Sequence, residues 1–205
     1  DHSRASFQAN GLDKSRLQKQ WVEIDAVNGR LAAAGEDFRL LKGSEVDILK
    51  DGLDFEDEIL RQLEVVVASL HVPSNDEAEN TKRLIRAAEN PWVHMLGHLT
   101  GRLLLARDGY KLNQHAVIDA CAATGTWIEL NGAPERLDLD WRLWQYAKSK
   151  GVRCVINCDA HRLEAVEYLR LGAQLARKGW ITSTDVINTR SLPDLHQLLR
   201  QKRGT

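Results

Sequence analysis

The sequence predicts an α/β fold with a mainly parallel sheet, open or closed into a barrel. Three observations predict it. Short β-branched runs alternate with amphipathic helical stretches along the whole chain, the pattern of repeated βα units. Of the 205 residues, 43% are hydrophobic, enough for one well-cored domain, and no Pro-rich linker, low-complexity segment or clear repeat divides them. The run Val152-Arg153-Cys154-Val155-Ile156-Asn157-Cys158-Asp159-Ala160-His161 opens with the composition of a buried strand and ends in a carboxylate and an imidazole.

Taken in order, a polar loop reaches Gly11. Leu17, Trp21, Ile24, Val27 and Leu31 then share one face of a long helix expected over about Asp13 to Ala34. Phe38 to Ile48 reads as a strand, Asp57 to Leu63 as a short helix, and Val65 to His71 as a second strand. Pro73 and Asn75 break the chain before a helix over Glu77 to Glu89, and Val93 to Leu99 is the expected third strand. Asn113 suits the N-cap of a helix running to Thr124. The fourth strand is Trp127 to Asn131, a helix spans Leu139 to Lys150, and the fifth strand is Val152 to Asp159. A helix is expected from near His161, one more strand in the segment Gly172 to Gly179, and a helix with a basic, solvated end over Pro193 to Lys202.

A net charge of −1 gives no bulk attraction to nucleic acid or to an anionic membrane, so any such contact must come from a local patch. No apolar run approaches the roughly 20 residues of a membrane span. Cys121, Cys154 and Cys158 form no CxxC pair and are expected to be reduced core thiols of a cytoplasmic protein. The chain opens on Asp1-His2-Ser3 without a methionine, which reads as the tail of a preceding element.

The chemistry lies at the strand ends. Glu45, His71, His98, Glu129, and Asp159 with His161 close successive strands, and the C-terminal strand ends of an α/β barrel converge on one mouth. Alternation along the last strand lets Asn157, Asp159 and His161 point one way. Burying such groups is costly without a partner, and a cation is the cheapest one, although an Asp–His pair capping the next helix would also serve. A lone strand-end histidine is usually a capping residue; recurrence at four or five strand ends argues for a shared site. Imidazoles with carboxylates suit Zn²⁺, Mn²⁺ or Fe²⁺ rather than Mg²⁺ alone. A cluster of about two or three such ions lowers the pKa of a bridging water and clamps phosphate oxygens, so hydrolysis of a phosphate ester is the implied chemistry. Asp47 shares strand parity with Glu45 and suits a supporting role behind it. His94 is expected in the core or in a supporting role behind the site, and His115 and His196 in solvent. Most of the six tryptophans are expected in the core rather than stacked on bases.

The segments Gly43-Ser44-Glu45-Val46-Asp47-Ile48-Leu49, Ala68-Ser69-Leu70-His71, Gly97-His98-Leu99-Thr100-Gly101-Arg102 and Asn157-Cys158-Asp159-Ala160-His161 resemble the PHP (polymerase and histidinol phosphatase) domain. Gly101-Arg102-Leu103-Leu104-Leu105 and the stretch Glu129 to Leu139 resemble the C-terminal PHP domain of bacterial family X DNA polymerases in particular. The resemblance covers nearly the whole chain. It implies a distorted seven-stranded β/α (TIM-like) barrel around a site for up to three divalent ions, Mn²⁺ or Zn²⁺ or Fe²⁺. It implies His2, Glu45, His71, His98, Asp159 and His161 as metal ligands, with Glu45, Asp159 and His161 at the catalytic centre. The family's first strand, with its His-x-His pair, has no counterpart, so residues 1–205 read as a single PHP domain starting just after the second strand.

The activity implied is a metal-dependent phosphoesterase, in the family X setting a 3′–5′ exonuclease or 3′-end-processing enzyme on DNA beside an N-terminal polymerase domain. Arg102 and Arg136 are the candidate phosphate contacts, with a salt bridge at the rim the alternative for each. A small-molecule phosphatase of the histidinol-phosphate type and a non-catalytic PHP scaffold are the other readings.

Overall fold

The computed structural model describes residues 1–204. Five strands, β1 (Gly43–Asp47), β2 (Val65–Ser69), β3 (Met95–Leu96), β4 (Trp127–Asn131) and β5 (Cys154–Asn157), form one parallel sheet whose spatial order is the chain order. The helices are α1 (Lys14–Ala33), α2 (Asp57–Leu60), α3 (Glu77–Glu89), α4 (Gln114–Thr124), α5 (Trp141–Ser149), α6 (Tyr168–Lys178) and α7 (Leu192–Arg203). Side-chain caps set many of their starts: Asp13, Asp76, Asn113, Asp140 and Ser191 each accept a hydrogen bond from a backbone N–H of the first turn.

Alternation along the strands sorts side chains between two faces. Val46, Val66, Ala68, Leu96, Ile128, Leu130 and Cys154 are buried in the main core with Leu84, Ile118 and Trp144 from the helices. On the other face Val67, Met95, Trp127 and Val155 pack with Ile187 and with Leu199 of α7. By strand parity Glu45, Glu129 and Asn157 share that second face; Asn157 ends its strand, whereas Glu45 and Glu129, expected at strand ends, are the middle residues of theirs. That face thus carries polar and apolar residues side by side, Glu45 level with Val67 and Glu129 level with Val155.

Several expectations require correction. Among the described residues the sheet has five strands rather than seven, and no pairing of β5 with β1 closes it into a barrel; its edges are extended by single parallel bridges, His2 to Glu45 and Cys154 to Val186. The segment Gly172 to Gly179 is not a strand: Gly172 and Ala176, one helical turn apart, are the buried residues of α6. Gly172 is there for close packing, since a Cβ would sit 2.6 Å from Ile156 Cγ2. The first strand begins at Gly43 rather than Phe38, because the Asn28 amide satisfies both backbone groups of Leu40 and leaves nothing for a ladder. The third strand shrinks to two residues, and the fifth stops at Asn157, before Asp159 turns to φ 52°.

The basic end of the last helix is docked rather than solvated. Lys202 Nζ donates to the carbonyls of Ala88 and Asn90 at the C-terminus of α3, 3.1 and 3.4 Å away. Arg203 donates to the carbonyl of Leu63 and stacks over Trp92 at 5.4 Å. Trp144 and Trp127 are core residues, whereas Trp180 is exposed. His94 is fully buried, accepting from the Val66 N–H at 3.0 Å; burial, then the charges of Arg203 and Lys202, lower its pKa to about 3. His115 is exposed and His196 half-buried. All three cysteines are buried and unpaired. Among the described residues, no helix is long and apolar enough to cross a membrane.

Candidate metal centre

Glu45 is the hub of the site. Its Oε1 lies 3.0 Å from His98 Nε2 and 3.2 Å from His71 Nε2, and its Oε2 lies 3.6 Å from His2 Nδ1. The three imidazoles arrive from different elements: His2 from the segment bridged to β1, His71 from just past β2, His98 from just past β3. The backbone at His98 has φ 22°, which ends the strand and starts the turn that follows. His2, Glu45 and His71 each offer a ligand atom, all within 4.8 Å of one another.

A second layer orients these groups. Asp47 Oδ1 accepts from His71 Nδ1 at 2.6 Å, which fixes the tautomer and leaves Nε2 facing Glu45. Asp47 Oδ2 accepts from the hydroxyls of Ser6 at 2.7 Å and Ser3 at 3.2 Å. Glu129, expected in the strand-end ring, instead accepts from the His98 backbone N–H at 2.6 Å and from the Asn157 and Asn131 amides at 3.0 and 3.3 Å. It holds the turn that carries His98.

The electrostatics follow from burial and from this pairing. Burial acts to raise the Glu45 pKa, but hydrogen bonds from His71 and His98 overcome it and hold the carboxyl well below the usual carboxylate range. Burial works against a charged His71, yet Asp47 and Glu45 raise it to about 9. His98 is also raised: Glu45 overcomes the effect of burial. His2, without a hydrogen bond, is lowered by burial. Glu129 is raised, burial again being the largest cause.

Asp159 and His161 complete the arc at the other side. The His161 ring is 5.9 Å from that of His2, and its Nδ1 contacts the Asp159 carbonyl at 2.7 Å. Asp159 Oδ2 lies 3.1 Å from Arg136 Nε and 3.5 Å from the Asn131 amide. His161 is 69% exposed, so the alternation expected from the sequence does not continue past Asn157.

The two candidate arginines differ in placement. Arg102 donates to the carbonyls of Arg136, at 2.8 Å, and Leu137, and pairs with Asp140 at 3.2 Å, so its donors bind the loop of residues 132–140. Arg136, on that loop, reaches both Asp159 and a cleft of about 330 Å³. His71, His98, Gln8, Arg107 and Tyr110 also line this cleft. Asp138 Oδ2 ties the same loop to the turn after His98, accepting from the Thr100 N–H, the Thr100 hydroxyl and the Gly101 N–H at 2.8, 2.9 and 3.1 Å.

Sequence reasoning missed Ser3, Ser6, Arg107 and Asp138. The serines lie 44 and 41 residues from their partner, so no local pattern marks them.

No family model matches the chain. It is 42% identical over 203 residues to the DNA polymerase/3′-5′ exonuclease PolX of Bacillus subtilis (strain 168), covering 98% of this chain and 35% of that protein. It therefore spans about a third of the length of that relative. It is 30% identical over 183 residues to a probable phosphatase of Thermoanaerobacter sp. (strain X514), covering 82% of this chain and 71% of the other. A probable phosphatase of Caldanaerobacter subterraneus subsp. tengcongensis is likewise 30% identical over 183 residues, with 82% and 68% covered. With this identity over most of both chains, the protein belongs to the family of these bacterial probable phosphatases and of the matching segment of PolX.

Proposed function

We propose that residues 1–205 form a PHP domain that hydrolyses phosphate esters with divalent cations, acting on the 3′ end of DNA. The observation that carries this reading is the Glu45 cluster, one carboxylate within 3.0 to 3.6 Å of three imidazoles. One buried nitrogen in it, His2 Nδ1, lies 3.6 Å from Glu45 Oε2 and has no hydrogen-bond partner among the described residues. An orphaned buried nitrogen beside a carboxylate fits a cation. The donor set of nitrogen and carboxylate oxygen fits Zn²⁺, Mn²⁺ or Fe²⁺.

His2, Glu45, His71 and His98 would hold the ions on one side, and Asp159 and His161 on the other. When bound, divalent ions supply Lewis-acid activation of water and offset the charge that builds on the phosphoryl oxygens. The protein's own groups position and shield. Asp47 holds His71 through Nδ1 and so aims Nε2 at Glu45, and Glu129 fixes the turn behind His98. Arg136 sits where it can exchange Asp159 for a phosphate oxygen, and Arg102 holds the loop that presents it. In a protein of the PolX kind, the neighbouring partner is the polymerase domain.

The second reading is a small phosphate ester as substrate, favoured by the modest cleft beside His71 and His98 and by the probable phosphatases among the relatives. The test is hydrolysis by the purified chain, with Mn²⁺, Zn²⁺ or Fe²⁺, of bis(p-nitrophenyl) phosphate, p-nitrophenyl phosphate and a 5′-labelled oligonucleotide. The reading predicts turnover that EDTA and Glu45→Gln both remove. Turnover untouched by either, or none with any substrate, refutes it.

A further inference from the structure

Among the described residues, the four most exposed large apolar side chains are Leu105, Leu163, Phe7 and Val72, at 110, 88, 85 and 75%. All four lie on segments that carry the site. Phe7 follows His2 and adjoins Gln8, a lining residue of the cleft; Val72 lies between His71 and Pro73, both of which line it. Leu105 is at the tip of a tight loop closed by the backbone bridge between Leu103 and Arg107, both in the lining. Leu163 opens the 3₁₀ turn Leu163–Glu167, two residues after His161.

Leu105 is disfavoured at its position twice over. It exposes its whole side chain to water, and its φ of 64° is one that Gly or Asn adopts with less strain. Scattered exposed apolar residues need no explanation, but gathering the most exposed ones around one polar site does. In the cleft that their neighbours in the chain line, Arg107 and Arg136 stand with one acid, Asp108. A ligand matching both features carries phosphates and flat apolar faces.

We infer that Phe7, Val72, Leu105 and Leu163 form an apolar collar that grips unstacked bases of a single-stranded polynucleotide, selecting it over small phosphate esters. The inference rests on the phosphoesterase reading above and names the residues that set its specificity. Phe7 offers a face for base stacking, and the aliphatic side chains act as wedges between neighbouring bases. A base held against the collar places its phosphates toward Arg107 and Arg136.

The experiment measures binding of a fluorescein-labelled dT12 by anisotropy in EDTA, where nothing is cleaved, and the ratio of kcat/KM for that oligonucleotide to kcat/KM for bis(p-nitrophenyl) phosphate with Mn²⁺. Leu105→Gly removes the side chain while relieving the positive φ, so it folds; Phe7→Ala and the double variant accompany it. Val22→Ala, an exposed apolar residue of α1 that lies in no segment of the site, controls for general stickiness. The collar predicts binding weakened about tenfold in each single variant, a fall of similar size in the kcat/KM ratio, and no change in the binding of Val22→Ala. Equal binding by wild type and both variants overturns it, as does failure of the wild type to bind dT12. Unchanged dT12 binding with loss of a wild-type dimer in the variants assigns the collar to self-association and also overturns it. Collar-dependent binding without hydrolysis of any ester would instead sustain the collar and sink the phosphoesterase reading.

Discussion

Asp47→Asn isolates the support behind the site from the site itself. Asp47 touches no expected substrate; its Oδ1 accepts from His71 Nδ1 at 2.6 Å and its Oδ2 from Ser6 and Ser3. Asparagine has the same shape. Its carbonyl oxygen can face His71, while its amide donates to serine hydroxyls that rotate to accept. What disappears is the charge, turning a charge-assisted hydrogen bond of about 1.5–3 kcal/mol into a neutral one of about 1 kcal/mol. The difference, about 0.5–2 kcal/mol, is roughly 2- to 30-fold in cation affinity, overlapping the 10- to 100-fold typical of such supporting carboxylates. Calorimetric titration of Mn²⁺ or Zn²⁺ into wild type and variant at pH 8 measures it. The thermal midpoint should drop by only a few degrees, since about 1 kcal/mol shifts a domain of this size by about 2–4 °C. Equal affinity within twofold would refute the claim that Asp47 prepares His71 for a cation.

Four further outcomes are expected. Asp159→Ala should cut Mn²⁺-dependent ester hydrolysis at least 100-fold with little change in the circular-dichroism melt, because Asp159 lies beyond the strand end; a variant that unfolds while keeping its metal content would make the residue structural. Cys158→Ser should keep near-normal turnover of bis(p-nitrophenyl) phosphate, and a large loss would point to a thiolate ligand. His94, at about 3 when folded and 6.5 when unfolded, takes up its proton first in the unfolded chain, so its contribution is complete above pH 6.5 and is lost as the pH falls toward 3. At pH 5 the gap of 1.5 units, at 1.36 kcal/mol each, gives about 2 kcal/mol; urea titrations of wild type and His94→Gln at pH 7.5 and 5 should differ by that amount, and parallel pH dependence would contradict it. Gly132→Ala would place a Cβ 2.5 Å from the Tyr168 carbonyl oxygen and 2.9 Å from the Gly172 nitrogen, backbone that cannot yield, and should cost about 1–3 kcal/mol by urea titration; an unchanged midpoint would mean that α6 can shift away.

Much of this arrangement is legible in the sequence because its signals are local. Val65-Val66-Val67-Ala68-Ser69 and Cys154-Val155-Ile156-Asn157 are strands by composition, and His71 and His98 stand out as polar residues just past such runs, whereas Glu45 lies within its strand. Asn113 caps its helix as expected. The misses come where long-range contacts override the local pattern. A two-residue strand such as Met95–Leu96 leaves too little alternation to bound. The apolar stretch before Gly43 looks like strand until Asn28, 12 residues away, takes the Leu40 backbone. The charges of Lys202 and Arg203 read as solvated, yet carbonyls more than 100 residues earlier receive them. Arg102 likewise spends its donors on carbonyls 34 and 35 residues ahead, which no motif announces. Glu129, expected in the strand-end ring, sits mid-strand and meets the His98 backbone and two asparagine amides instead.

The central claim is that the Glu45 cluster is a metal centre, and metal stoichiometry tests it most directly. Wild type and Glu45→Gln are each loaded with Mn²⁺ and Zn²⁺, desalted, and measured by plasma mass spectrometry. At least one tightly held ion per wild-type chain, lost in Glu45→Gln while the far-UV spectrum stays the same, is the predicted result. No retained ion in the wild type, or equal retention in both proteins, would contradict the account.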